Sequence, residues 1–208
     1  MADPVVPPVA ARALAVLTAT LVLAACGGSD APQISDETTW VATTPRALAY
    51  VASEHVGVPS SAQPETDGAE ELGERAVSVE LNLPGPGRQV VVAVGHGKQA
   101  EFRSCRTVGV ESCAETERGL LFWEEAAWES DPGVVYVAVT KKAHDGGTVT
   151  VLVWSSGGDT ILGDPRELDL QTDVETLFDV AHDPGVSLTT PDFAAEAGEE
   201  LEYFRAAP

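Results

Sequence analysis

The chain has 208 residues, with 33 Asp and Glu against 12 Lys and Arg and a formal net charge of −21. So acidic a body repels nucleic-acid phosphates and anionic lipid surfaces, which argues against nucleic acid or any other polyanion as a partner. The length suits one domain with its own core once a leading segment is set aside.

Arg12 is the only basic residue ahead of a run of small and apolar residues from Ala13 to Ala25. The run matches a signal-peptide core and falls short of the roughly 20 apolar residues that span a bilayer. It ends in Leu23-Ala24-Ala25-Cys26, followed by Gly27-Gly28. These four residues resemble a bacterial lipobox. The resemblance implies cleavage before Cys26 and a diacylglycerol on its sulfur. Residues 1–25 are therefore read as a lipoprotein signal peptide and Cys26 as the lipid attachment site. An ordinary secretory signal with an incidental Cys, or a short buried helix, are the competing readings. Asp3, Pro4, Pro7 and Pro8 make an unusual beginning for any signal. Two or more acyl chains anchor stably, at about 0.8 kcal/mol per buried CH₂.

Residues 26–39 are rich in Gly, Ser, Asp and Pro with few apolar side chains, and read as a lipidated flexible tether. Residues 40–208 read as a single α+β domain. Thr44 can cap a helix, Pro45 suits its first position, and Leu48, Val51, Ala52 and Val56 form one apolar stripe. His55 lies beside that stripe, as a half-buried histidine rather than a ligand. Pro59 to Glu74 reads as an acidic loop. Val77, Val79 and Leu81 alternate with polar residues, and Gln89 to Val94 is a nearly continuous apolar run. Both are expected strands, as are Glu101 to Glu111, Leu120 to Trp123 and Val134 to Thr140. His144-Asp145-Gly146-Gly147 is a hairpin signal. Beyond it Val149, Val151 and Val153 face one way, and Thr148, Thr150, Leu152 and Trp154 the other. Thr172 and Glu175 have capping-box spacing ahead of a helix ended by Asp183-Pro184-Gly185. A last helical turn is expected over 192–197. The fold class is an antiparallel sheet of five to seven strands with two short amphipathic helices on one face.

If Cys26 carries lipid, Cys105 and Cys113 remain as an even pair outside the cytosol, which points to a disulfide. A metal reading would add His96, but the spacing is not that of zinc and a second ligand pair is missing. Gly95-His96-Gly97-Lys98 only superficially resembles a phosphate loop, because Val92 stands where the first glycine belongs and Gln99 replaces the Ser/Thr. Asp159, Asp164, Asp169 and Asp173 lie close in sequence, in no EF-hand spacing. No catalytic motif is present, and no cofactor or metal site is assigned. Glu124 and Glu125, beside Trp123 and Trp128, and His96 are the only candidates for hydrolytic or sugar chemistry.

From Thr44 to Tyr203 the pattern is similar to small secreted actinobacterial lipoproteins of uncharacterised function. The features are the lipobox, Thr44-Pro45-Arg46-Ala47-Leu48, the two-cysteine segment, Asp164-Pro165-Arg166 and Val174-Glu175-Thr176-Leu177. The resemblance implies no catalytic residue. The sequence thus predicts an extracytoplasmic protein held to the cell membrane by covalent lipid. Its expected role is to bind an unknown protein or small-molecule partner. The alternatives are an envelope hydrolase of glycans or esters, using Glu124 or Glu125 with His96, and an acidic surface metal-binding protein.

Overall fold

Strand alternation and glycine turns build the centre of the molecule. A computed structural model describes residues 34–205, apart from Asp36, Lys98, Gln99 and residues 128–130. Residues 1–33, with Cys26 and the expected signal peptide, lie outside the described residues. In chain order the first half runs β1 (Trp40–Ala42), α1 (Pro45–Val56), β2 (Ser61–Pro64), α2 (Asp67–Leu72), β3 (Val77–Asn82) and β4 (Gln89–Gly95). A 3₁₀ turn over Glu101–Arg103 leads to α3 (Cys105–Val108), β5 (Cys113–Thr116), β6 (Gly119–Glu124), β7 (Val134–Lys142) and β8 (Thr148–Ser156). A second 3₁₀ turn precedes α4 (Val174–His182), β9 (Thr189–Pro191) and α5 (Asp192–Glu199). Seven strands form one antiparallel sheet in the order β2-β3-β4-β8-β7-β6-β5, and β1 pairs with β9 apart from it. Among the described residues no helix is long and apolar enough to cross a membrane.

The period of two sorts the sheet's side chains onto two unequal faces. One carries Val79, Leu81, Val92, Leu121, Val137 and Val153, all fully buried. Helices α1, α4 and α5 seal this face with Leu48, Leu177, Phe178 and Ala194. The opposite face holds a smaller cluster of Leu72, Ala93, Leu120, Phe122, Ala138 and Leu152.

The helix ends show why these segments fold locally. Thr44 Oγ1 accepts the Ala47 N–H at 3.2 Å, and Gly57 leaves α1 at φ +86°. Helix α4 is capped one residue later than expected. Asp173 accepts the Thr176 N–H at 2.7 Å, and its negative charge suits the helix's positive end. Thr172 Oγ1 instead accepts from Arg88 Nε and Nη2 at 3.0 and 2.8 Å.

Two segments differ from expectation. The strand predicted over 101–111 is a 3₁₀ turn followed by α3. Ser104 and Thr107 bond each other's backbone N–H, and Gly109 stops the helix at φ +75°, so pairing begins only at Cys113. The loop predicted over 59–74 contains β2 and α2. Glu65 accepts the Asp67 and Gly68 N–H groups at 2.6 and 2.7 Å, which starts α2 in place of a Ser or Thr cap. Strand β2 sits at the sheet edge, where Pro64 is tolerated. Its outer side is covered by the tail: Ala62 N–H donates to Tyr203 O at 3.0 Å and Arg205 N–H to Ala62 O at 2.7 Å.

One polar cluster ties α1, β7 and the end of α4 together. Lys141 Nζ donates to Ala181 O at 2.8 Å and to Asp183 O, satisfying carbonyls at the C-terminus of α4. Burial lowers its pKa to about 8, against the pull of Asp183. His55 Nε2 lies 2.8 Å from Asp183 Oδ2. That hydrogen bond raises the His55 pKa above its ordinary 6.5, outweighing burial, which lowers it. A raised folded value means the pair's stabilisation is complete below pH 6.5 and is lost as pH rises through the folded value. Denaturant titrations of the parent and His55→Gln at pH 5.5 and 8.5 should therefore differ by about 1 kcal/mol at the lower pH and converge at the higher. Equal differences at both would show that the imidazolium does not hold Asp183.

Candidate functional site

Antiparallel pairing places Phe122 on β6 opposite Tyr136 on β7, and Tyr136 opposite Trp154 on β8. All three stand on the less covered face, so register alone lines up an aromatic row across three strands. Phe122 and Tyr136 are stacked with ring centroids 4.9 Å apart and planes within 3°. Trp154 follows at 6.2 Å from Tyr136, and Phe102 of the first 3₁₀ turn extends the row at 6.1 Å from Phe122. Phe122 is buried, while Phe102, Tyr136 and Trp154 are partly exposed.

These aromatics, with Leu152, Val108 and Val110, line an open cleft of about 450 Å³. That volume lies in the range of small-molecule sites, which are mostly apolar with a few polar groups. Asp67, Glu101 and Glu124 also line it, and no Lys or Arg does among the described residues. Tyr136 donates a long 3.4 Å hydrogen bond to Glu124 Oε1. Burial, with Glu124 beside it, pushes the Tyr136 phenol up to about 12. The hydroxyl therefore stays protonated, as a donor, across the physiological range.

Two local features shape the walls. On one side is Gly68 in the first turn of α2. A Cβ there would stand 2.5 Å from Trp154 Cη2, 2.9 Å from Glu65 Oε2 and 3.0 Å from Ser78 Oγ. Only glycine lets α2 approach the indole this closely. On the other side Cys105 and Cys113 form the expected disulfide, with Cα atoms 5.6 Å apart. It ties α3 to β5, so Val108 at the end of α3 and Val110 in the loop after it are pinned beside the aromatic row. Glu115 on β5 adds a bond, accepting the Cys105 N–H at 3.1 Å.

The residues singled out in the sequence separate. Glu124 lines the cleft, and Glu125 is exposed just past β6. Trp123 points to the sealed face and packs on its core, and Trp128 lies outside the described residues. His96 follows β4 at the other end of the sheet, and its Nδ1 lies 2.9 Å from Thr148 O. Gly95 pairs with Thr150 and Thr150 with Thr140, whereas Glu124 pairs with Val134. The offset between the His96 and Glu124 rows is about seven residues, or roughly 23 Å along the strands. The two do not form one cleft. Gly95 and Gly97 are explained by packing instead, since a Cβ on either would fall 2.6 or 2.4 Å from Leu72 O at the end of α2.

Three of the four clustered aspartates serve local structure. Asp159 accepts the Gln171 N–H at 2.8 Å, Asp164 pairs with Arg166, and Asp173 caps α4. Among the described residues no group of three or more His, Cys, Asp and Glu converges to hold a metal ion. Phe102, Tyr136 and Trp154 are the site residues that sequence reasoning missed. The signal for Tyr136 and Trp154 was a large aromatic on the strand phase opposite the valines, whereas Phe102 sits in a 3₁₀ turn and carried no such phase.

No protein-family model, curated protein or solved structure matches this chain.

Alanine ordinarily stabilises a helix relative to glycine by up to about 1 kcal/mol. Gly68→Ala should do the reverse, lowering the denaturation free energy by about 1–3 kcal/mol because the methyl meets the Trp154 ring. A stabilised Gly68→Ala protein would mean that α2 does not press on the indole. Replacing both Cys105 and Cys113 by Ser should cost about 2.5 kcal/mol in a denaturant titration, from restored freedom of the unfolded chain.

Proposed function

We propose that this chain is a membrane-anchored extracytoplasmic binding module of the cell envelope, held through lipid on Cys26, which takes a small ligand into the aromatic-walled cleft. The observation that carries the binding part is the cleft itself, open on one face of a sheet whose other face is sealed by helices. Its floor rests on strands rather than loops, its size fits a small molecule, and its apolar walls carry a few polar groups. The address rests on Leu23-Ala24-Ala25-Cys26. The tether's r.m.s. reach of about 20 Å would keep the start of the folded body close to the membrane surface. Glu124 has no His96 beside it, so the hydrolase reading that needs both draws no support from the site.

Two measurements test the two parts. In a bacterial host that lipidates such signals, labelled fatty acid should enter the protein, and Cys26→Ala should abolish labelling and move it out of the membrane fraction. Unchanged fractionation of Cys26→Ala would sink the anchor. For the cleft, ligand-observed NMR with a mixed set of neutral, anionic and cationic aromatic fragments should give binders that are lost in Tyr136→Ser. If Tyr136→Ser and a folded Phe102→Ser variant both bind every fragment as the parent does, the cleft is not the site.

A further inference from the structure

We infer that the ligand of this cleft is a small organic cation: an apolar or aromatic body carrying one ammonium or guanidinium group. This rests on the cleft being the binding site. The inference comes from what surrounds the aromatic walls. Asp67 enters from the start of α2 on one side and Glu124 from the end of β6 on the other, and both are exposed. The described lining residues bring no positive charge to balance them. Carboxylates on low-dielectric walls focus a negative potential into the cavity, and the net charge of −21 adds to it at longer range. An anionic ligand meets repulsion here. A neutral one gains the apolar contacts and leaves the carboxylates to water.

A cation gains both. Its apolar body displaces water from Phe102, Phe122, Tyr136 and Trp154, and its charge pairs with carboxylate at the rim. Glu124 has capacity for this, because its one hydrogen bond within the cleft is the 3.4 Å contact from the Tyr136 hydroxyl. Tyr136 in turn offers an oxygen lone pair to an N–H donor lying between the two side chains. Both carboxylates are exposed, so the pairing they offer is screened by salt while the aromatic contacts are not.

The test uses three probes of one shape on the full chain: 2-phenylethylamine, 2-phenylethanol and phenylacetate, titrated by calorimetry and ligand-observed NMR. The amine should bind at least about tenfold more tightly than the alcohol at low salt, and phenylacetate more weakly than either. The gap between amine and alcohol should shrink severalfold between about 20 and 500 mM salt. It should also shrink in Glu124→Gln with Asp67→Asn, a pair of exposed isosteric changes whose folding is checked by thermal melting. Alcohol binding as tight as amine binding, or a gap insensitive to both variants, overturns the inference and leaves the cleft as a site of other specificity. Silence from all three while the mixed fragments bind overturns it too. Silence from every fragment removes the cleft reading along with it.

Discussion

The register between β6, β7 and β8 is the constraint on which the rest of the structure depends. Side chains alternate with a period of two, so a slip of one residue would exchange the faces of a strand completely. In the observed register Val135, Val137, Val139, Val149, Val151 and Val153 enter the sealed core while Tyr136 and Trp154 stand together on the other side. The β7–β8 hairpin holds that register through a short turn, where Gly146 takes φ +83° and Ala143 and Gly147 close the loop at 2.9 Å. A one-residue slip of β7 would turn Tyr136, and one of β8 would turn Trp154, toward the helical layer and expose a row of valines. The aromatic cleft and the hydrophobic core are thus two consequences of one alignment.

This also explains which parts of the molecule were legible in the sequence. Alternation within one segment is local, so β3, β4, β7 and β8 and the two faces of 148–154 could be read directly. So could α1, where cap, proline and apolar stripe agree over 12 residues. The row of Phe122, Tyr136 and Trp154 was not legible as a site, because its members lie on three strands and meet only through cross-strand pairing. Trp123 neighbours Glu124 in sequence, yet adjacent strand residues point to opposite faces. The helix α3 was hidden for a different reason. A four-residue helix has no periodicity to detect, and only the Ser104/Thr107 pair and Gly109 marked it. For α4 the missed signal was chemical. Thr172 and Asp173 can both cap, and Arg88 decides between them by occupying the threonine hydroxyl.

The disulfide and α2 act as the two supports of the cleft, and they differ in kind. Cys105–Cys113 restrains a loop that has little apolar surface of its own, so its order depends on a covalent tie. Helix α2 has six residues and is marginal alone. Its place is set by the Glu65 carboxylate, by Ser78 Oγ donating to the same carboxylate at 2.9 Å, and by Leu72 inserted into the smaller core. Gly68, Gly95 and Gly97 are then required, because α2 lies close enough to the sheet to leave no room for a methyl group. Three glycines and the half-buried Glu65 carboxylate therefore set the wall against which Trp154 rests.

Scarcity of positive charge connects the sealed face to the cleft. With 33 acids and 12 bases, each Lys or Arg used in one place leaves another place negative. Several of the bases serve the helical layer. Arg46 reaches Gly198 O at the end of α5 and lies 4.7 Å over the Phe204 ring. Arg88 holds the approach to α4, Arg118 pairs with Glu175 and Asp179 on its outer side, and Lys141 closes its C-terminus. These contacts secure helices whose sequences are rich in acids, as helix N-termini and solubility both favour. The cleft face receives none of these four. Asp67 and Glu124 consequently stand beside aromatic walls with no Lys or Arg among the described lining residues, and the demand for a positive partner there passes to whatever enters from solution.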